Sequence, residues 1–291
     1  MKKTVAAHAK INLYLDITGK RENGYHDIKG IMHKISLADT VSVSVERSSH
    51  TEISLTCSDP SIPTGESNIA YKAAKRYLDA FSSECYEIAI HIEKRIPAAG
   101  GLAGGSTDAA STLLCLYEMI GGCSTDELFS LAARLGADVP FCMSDGCMIT
   151  EGIGEILTPC KKLCPATLVI CNTGEAVSTP EAYCELDRIY DDFCHREFDD
   201  GSFGTLMSGL EHGELSQITS GMYNIFEDAV LPTRPKAKGA RELMISHGAV
   251  GAMMSGSGPT IFGIFDNEEC ADAAYTALVA LGYSTHKCKA I

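Results

Sequence analysis

An α+β fold is what the sequence predicts, and two observations carry it. Several short stretches alternate apolar and polar residues, the period of a strand, while others repeat every three to four residues, the period of a helix. The two kinds follow one another without regular β-α alternation, which favours α+β over a doubly wound sheet. The chain has 291 residues, 45% hydrophobic and 21% charged. That is enough for one large domain or two modest ones with a real core.

Ile11, Leu13, Leu15 and Ile17 alternate with Asn12, Tyr14 and Asp16, which reads as a half-buried strand. Lys10 shares a face with Asn12, because side chains two apart point the same way. Residues 18–26 are turn-like, with Asn23-Gly24 supplying two residues that tolerate positive φ. Residues 28–37 and 41–45 read as two strands, and Ile53 with Leu55 as another. Residues 68–78 read as a helix with Ile69, Ala73 and Tyr77 on one face. Tyr86, Ile88, Ile90 and Ile92 form a strand that runs into a Gly-rich loop, and 106–120 form the helix that leaves it. Ser124 and Glu127 make a capping box for a helix over 128–135. Gly and Pro punctuation over 151–165 marks a domain seam.

Beyond the seam, 168–171 are a short strand, and Thr179-Pro180 are a helix cap followed by Pro in the first turn. Residues 187–221 are acidic and polar with little period, and read as peripheral. A helix over 236–247 precedes strands 250–254 and 260–265, which flank a second Gly-rich loop. A helix over 267–281 and a strand over 283–287 follow.

The net charge is -14, which argues against a general nucleic-acid or membrane-surface binder, since those need basic patches. The 13 cysteines lack a CxxC pair and read as reduced thiols used as small hydrophobes, with no metal site expected. Met1-Lys2-Lys3 is followed by no apolar signal region, and nothing approaches a membrane span, so a cytoplasmic protein is expected.

Four segments carry chemistry. The first is Ile96-Pro97-Ala98-Ala99-Gly100-Gly101-Leu102-Ala103-Gly104-Gly105-Ser106-Thr107-Asp108, between a strand and a helix. Its glycines let backbone approach a ligand, and the N–H groups opening the helix favour phosphate. Ser106 and Thr107 add hydroxyls. The plainer reading is a flexible linker with Ser106 or Asp108 as the cap. The spacing is neither a Walker A loop nor a dinucleotide fingerprint. The second segment, Gly251-Ala252-Met253-Met254-Ser255-Gly256-Ser257-Gly258-Pro259-Thr260, alone reads as a hairpin turn. The third, Lys10 with Asn12, reads alone as an exposed edge, and the fourth, Gly136-Ala137-Asp138-Val139-Pro140-Phe141, as a helix cap.

Together they resemble one family. Ala9-Lys10-Ile11-Asn12-Leu13, Gly19-Lys20-Arg21 and Gly24-Tyr25-His26 are similar to the N-terminal signature of the 4-diphosphocytidyl-2-C-methyl-D-erythritol kinases of the GHMP kinase superfamily. Residues 97–110 resemble that superfamily's phosphate-binding motif, 136–141 its catalytic-aspartate motif and 253–260 its third motif. Homoserine and mevalonate kinases share the Gly-rich loop but not Gly24-Tyr25-His26. Three positions depart from the pattern: His8 stands for a usual Pro, Ala103 for Gly and Thr107 for Ser. Ala103 matters only if its position needs positive φ.

The resemblance implies a ribosomal-protein-S5-like domain over 1–155 and a ferredoxin-like domain over 156–291. It implies transfer of the ATP γ-phosphoryl group to the 2-hydroxyl of a cytidyl diphosphate substrate, with Mg²⁺ neutralising the triphosphate. Asp138 would accept the hydroxyl proton, and Lys10 would hold that hydroxyl and stabilise negative charge. Pro97 and Gly100 to Thr107 would bind the nucleotide, with Asn68 near adenine. Asn12, Tyr25, His26, Thr179, Pro180 and Tyr183 would bind the substrate, Tyr25 stacking on cytosine with Tyr183 opposite. A non-catalytic nucleotide-binding regulator is the rival from another class, and the presence of both Lys10 and Asp138 argues against it.

Overall fold

The computed structural model describes residues 1–193, 196, 198 and 200–291. The chain forms two compact units, neither of them a continuous stretch. Met1–Ala9, Ala38–Ala98 and Ala103–Asp145 make the first, and Lys10–Leu37, Ala99–Leu102 and Gly146–Ile291 the second.

Two long strands feed both units: β1 (Lys2–Lys20) and β2 (His26–Arg47). Residues 28–37 and 41–45 are thus one strand rather than two. Asp39, in the expected gap, is fully buried in the strand because its carboxylate accepts the backbone N–H groups of Arg95 (2.5 Å) and Ile96 (2.8 Å). Nor is β1 half-buried. Asn12, Tyr14 and Asp16 are as buried as Ile11 and Leu13.

In the first unit, β3 (Glu52–Cys57) pairs in parallel with β4 (Tyr86–Glu93). β4 pairs antiparallel with β2, from Thr40 opposite Glu93 to Arg47 opposite Tyr86. Tyr86, Ile88, Ile90 and Ile92 are buried and the residues between them exposed, as the alternation predicts. Burying each such side chain contributes roughly 1.5–3 kcal/mol. The helices are α1 (Ile69–Phe81), α2 (Gly104–Ile120), α3 (Thr125–Leu135) and α4 (Val139–Met143). Ala70, Ala73 and Ala74 of α1 and Ala109, Ala110 and Leu113 of α2 are buried. The capping box of Ser124 and Glu127 opens α3, three residues before the expected start.

In the second unit, β5 (Cys147–Glu151) and β6 (Ile156–Cys160) form a hairpin with Cys147 opposite Cys160, and β5 also pairs with β2. The punctuated stretch 151–165 therefore holds a turn and a strand. β7 (Thr167–Asn172) leads into α5 (Thr179–Ile189), a 3₁₀ turn at Asp191–Phe193, α6 (Asp200–His212) and α7 (Leu215–Ser220). The cap of α5 is Ser178, one residue before Thr179, and its hydroxyl accepts the N–H of Glu181. Thr179 and Pro180 are instead the first two helical residues.

Residues 187–221 are not peripheral. Leu206, Leu210 and Ile218 are buried, and positions 194, 195, 197 and 199 of that stretch lie outside the described residues. The weak period has a physical cause. α6 and α7 pack through small residues rather than an apolar stripe. A Cβ on Gly209 would fall 2.6 Å from Ile218 N, and one on Gly221 2.5 Å from Leu206 N.

β8 (Tyr223–Asn224) pairs in parallel with β1, and α8 (Phe226–Val230) and α9 (Pro235–Ser246) follow. β9 (Gly251–Met254), β10 (Ile261–Phe265), α10 (Glu268–Ala280) and β11 (Ser284–Lys289) complete the unit. A four-stranded antiparallel sheet runs β11-β7-β10-β9. Ala237, Ala240 and Met244 of α9 and Ala271, Ala274 and Leu278 of α10 share one core with Val169, Cys171, Ile261 and Phe265. Among the described residues, no helix is long and apolar enough to cross a membrane.

Candidate active site

The Gly-rich loop is set by backbone conformations that most side chains avoid. Ala99 sits at φ 50°, Gly101 at 74° and Ala103 at 58°. Position 103 therefore does need positive φ, and an alanine occupies it. α2 opens at Gly104, two residues before the expected start, so neither Ser106 nor Asp108 is its cap. The first helical bond runs from Thr107 N to Ala103 O (2.9 Å). The N–H groups of Gly104, Gly105 and Ser106 thus lie ahead of the helical ladder, where helix geometry gives them no partner. Pro97 and Ser106 are half-buried, Gly100 is buried and Gly105 exposed. Thr107 is buried, so its hydroxyl is turned toward protein.

In the second unit, the 255–260 turn docks on the middle of that loop. Ser255 Oγ donates to Gly101 O (3.0 Å), and a side chain on Gly101 would run into the Ser255 carbonyl. A Cβ on Gly256 would come 3.4 Å from Lys10 Nζ. Lys10 is buried in β1; its N–H donates to Leu102 O (3.1 Å) and its ammonium to Asn12 Oδ1 (2.6 Å). Asn224 ties the turn down, donating to Met254 O (2.7 Å) and Gly256 O (2.8 Å). The segment that alone read as a hairpin is one, and it also packs against the loop and Lys10. Sequence reasoning missed Asn224, which is 30 residues from Met254 and carries no local signal.

Asp138, in the first unit, precedes α4 at φ −79° and is half-buried, and its side chain makes no capping bond. Asp138 thus holds the cap position that the plain reading gave it, but without a side-chain capping bond. Asn68 does cap α1: its Oδ1 accepts from Ala70 N (2.8 Å) and its Nδ2 donates to Pro63 O (2.8 Å).

The Gly-Lys-Arg and Gly-Tyr-His segments flank the turn between β1 and β2. Arg21 N donates to Tyr25 O (2.7 Å), Gly24 takes φ 83°, and Tyr25 is left 59% exposed. His26 is buried: its Nε2 meets Asp187 (2.6 Å), and its ring stacks on Tyr183 with centroids 4.8 Å apart. One face of Tyr183 is thus already covered by His26, and Thr179 Oγ1 lies 2.7 Å from Ser257 Oγ. Lys20 bonds both Asp187 (2.9 Å) and Asp192. Burial pushes the Asp187 carboxyl up, but its hydrogen bonds from His26 and Lys20 outweigh that and hold it below the usual range. Arg196 adds a buried pair with Asp16 (2.7 Å). The acidic stretch that carried no reason in the sequence therefore supplies counter-charges to the signature residues.

The loop fits a polyphosphate. The N–H groups of Gly104, Gly105 and Ser106 that open α2 ahead of its first helical bond are the kind of donor set such a group requires. Among the described residues, no group of three or more His, Cys, Asp or Glu could hold a metal ion.

Comparison with known proteins places these features. The model of the GHMP kinase N-terminal domain matches residues 68–146, and that of the C-terminal domain residues 200–284. The 4-diphosphocytidyl-2-C-methyl-D-erythritol kinase of Lachnoclostridium phytofermentans is 38% identical over 94% of this chain and 91% of its own. That of Alkaliphilus metalliredigens is 40% identical over 96% and 94%. A crystal structure of a 4-(cytidine 5'-diphospho)-2C-methyl-D-erythritol kinase superposes with TM-score 0.81 at 32% identity, covering 99% of each chain. A homoserine kinase from Cytophaga hutchinsonii shares the fold, with TM-score 0.75 at 19% identity over 100% and 94% of the two chains.

Proposed function

The chain belongs to the GHMP kinases, in their 4-diphosphocytidyl-2-C-methyl-D-erythritol kinase branch, and we propose a division of the catalytic work among its residues on that footing. It is an ATP-dependent small-molecule kinase. Its reaction transfers the ATP γ-phosphoryl group to the 2-hydroxyl of 4-diphosphocytidyl-2-C-methyl-D-erythritol, a step toward isoprenoid precursors. The observation that carries the reading is the docking of Ser255 and Gly256 on Gly101 and Lys10. It joins three motifs that are remote in sequence.

Phosphoryl transfer asks a protein mainly for positioning and charge stabilisation. ATP supplies the transferable group, and Mg²⁺ is its counter-ion. The N–H groups of Gly104 to Ser106 hold phosphate oxygens. Lys10, its ammonium directed by Asn12, stabilises charge that develops on the acceptor oxygen. Asp138 accepts the hydroxyl proton. Tyr25, exposed on a tight turn, stacks on the cytosine, a contact worth roughly 1–3 kcal/mol. His26, fixed by Asp187, hydrogen-bonds the base from a set position. A cytoplasmic location fits a metabolic enzyme of this kind.

A coupled ADP-release assay with the cytidyl substrate, with homoserine and mevalonate as controls, tests the activity. Turnover of either control in preference would overturn the substrate assignment. Asp138→Asn is expected to keep the melting temperature and lower kcat at least ~10²-fold. Lys10→Ala should do the same, and the double variant should be little worse than either single one, as for residues acting as a unit. Near-normal kcat in Asp138→Asn would remove Asp138 from the mechanism.

A further inference from the structure

Beneath the Gly-rich loop lies a buried charge cluster of which only Asp108 belongs to a motif. Lys94, just past the end of β4, sends its ammonium to Asp39 of β2 and to Asp108 Oδ2 of α2 (2.8 Å). The three side chains are 8%, 0% and 5% exposed. Asp39 also accepts the N–H groups of Arg95 and Ile96, the residues that lead into the loop. Lys94 and Asp108 thus tie the strand that enters the loop to the helix that leaves it. The tie passes close under the phosphate-facing turn, since a Cβ on Gly104 would come 3.4 Å from Lys94 Nζ. Asp108 Oδ1 is buried with no hydrogen-bond partner.

We propose that Asp39, Lys94 and Asp108 are positioning residues for the phosphate loop, and that the charge on Asp108 sets how well the loop holds ATP. The inference rests on the loop being the ATP site. With both carboxylates ionised, the cluster carries one net negative charge next to a helix start meant for an anion. With Asp108 protonated it is neutral, and the helix dipole acts unopposed.

The balance lies within reach of ordinary pH. Burial pushes the Asp108 carboxyl up and Asp39 adds to that, while Lys94 pulls it down, leaving it at about 7. Cys57, at the end of β3, and Asp59, two residues on, are further titratable groups that face this cluster, Asp59 through Lys94, and Ile69 of α1 lies beside Gly105. A carboxyl raised in this way gains its charge as pH rises through about 7. ATP affinity should therefore fall over that interval, and nucleotide binding should draw a proton onto Asp108.

The test compares the wild-type chain with Asp108→Asn, which keeps the side-chain shape and leaves Lys94 paired with Asp39. Wild-type KM for ATP should rise about threefold from pH 6.5 to 8.5, the scale of a charge at a helix start. KM for the cytidyl substrate should not follow it. In Asp108→Asn, KM for ATP should be flatter over the same range. Calorimetric titration with ADP in two buffers of different ionisation heat counts protons independently. Wild type should take up more than the variant near pH 7, and the nucleotide's own titration cancels in that difference. Equal pH profiles and equal proton counts in the two proteins would overturn the proposal. ADP release by either protein would still stand as evidence for the kinase itself. Lys94→Met checks the tie separately: KM for ATP should rise at least about tenfold with KM for the cytidyl substrate little changed. A uniform loss in both would mark Lys94 as merely structural.

Discussion

Ala103 holds φ 58° at the head of α2, a conformation that costs an L-residue other than Gly about 1–2 kcal/mol. Glycine would remove that strain but add freedom to the unfolded chain, worth about 0.4–1 kcal/mol. The strain is the larger quantity, so Ala103→Gly should raise the melting temperature, by a net gain of about 0.5–1 kcal/mol. Calorimetry checks it, and a lower melting temperature would show that Ala103 is relaxed where it stands. His33 makes a different residue-scale case. Its Nε2 accepts Leu163 N (2.9 Å) while Nδ1 donates to Lys34 O (2.7 Å), a pattern that only the neutral ring can satisfy. Burial pushes its pKa down to about 4, helped by Lys162 and opposed by the Lys34 carbonyl. The unfolded ring takes a proton near 6.5 and the folded ring does not, so stability is lost as pH falls from 6.5 toward 4. The loss is about 3 kcal/mol at most. Urea unfolding at pH 7 and pH 4.5 should show it, and His33→Gln should show a shallower slope. Identical slopes would clear His33 of the effect. Of such residues, Lys10 and Asn12 were legible as a pair because a strand's period of two places them on one face. The partnership of His26 with Asp187 was not, since 161 residues separate them and no local pattern encodes the contact.

Elements whose burial follows one clear period were read almost to the residue. β4 alternates without a fault, and α10 starts from Asn267, whose side chain accepts from Glu269 and Cys270; α3 carries its capping box but starts three residues earlier than read. Elements were misread where buried polar groups or small residues replace the apolar repeat. Asp39 split β2 in the reading because a buried carboxylate looks like a loop residue until its donors are seen. The α6–α7 pair looked irregular because Gly209 and Gly221 mark its closest approach. That gives a test at this scale. Gly209→Ala places a methyl against the Ile218 backbone and should lower stability by about 1–3 kcal/mol, the range for overpacking. Unchanged denaturant midpoints would mean that the two helices can separate without cost.

For the whole molecule, the sequence motifs identified the chemistry, but they could not say which lengths of chain fold together. Each unit is assembled from three separate segments, and the loop from Pro97 to Ala103 contributes to both. The arrangement has a consequence in time. The first unit has all its chain once Asp145 is made, whereas the second holds residues 10–37 from the outset yet lacks its edge strand β11 until Lys289. At about 5–20 residues per second, those early apolar strand segments wait roughly 13–50 s for the last of the partners that will cover them. During synthesis the vulnerable part of this protein is therefore among its oldest, the interval in which a chaperone has most to protect.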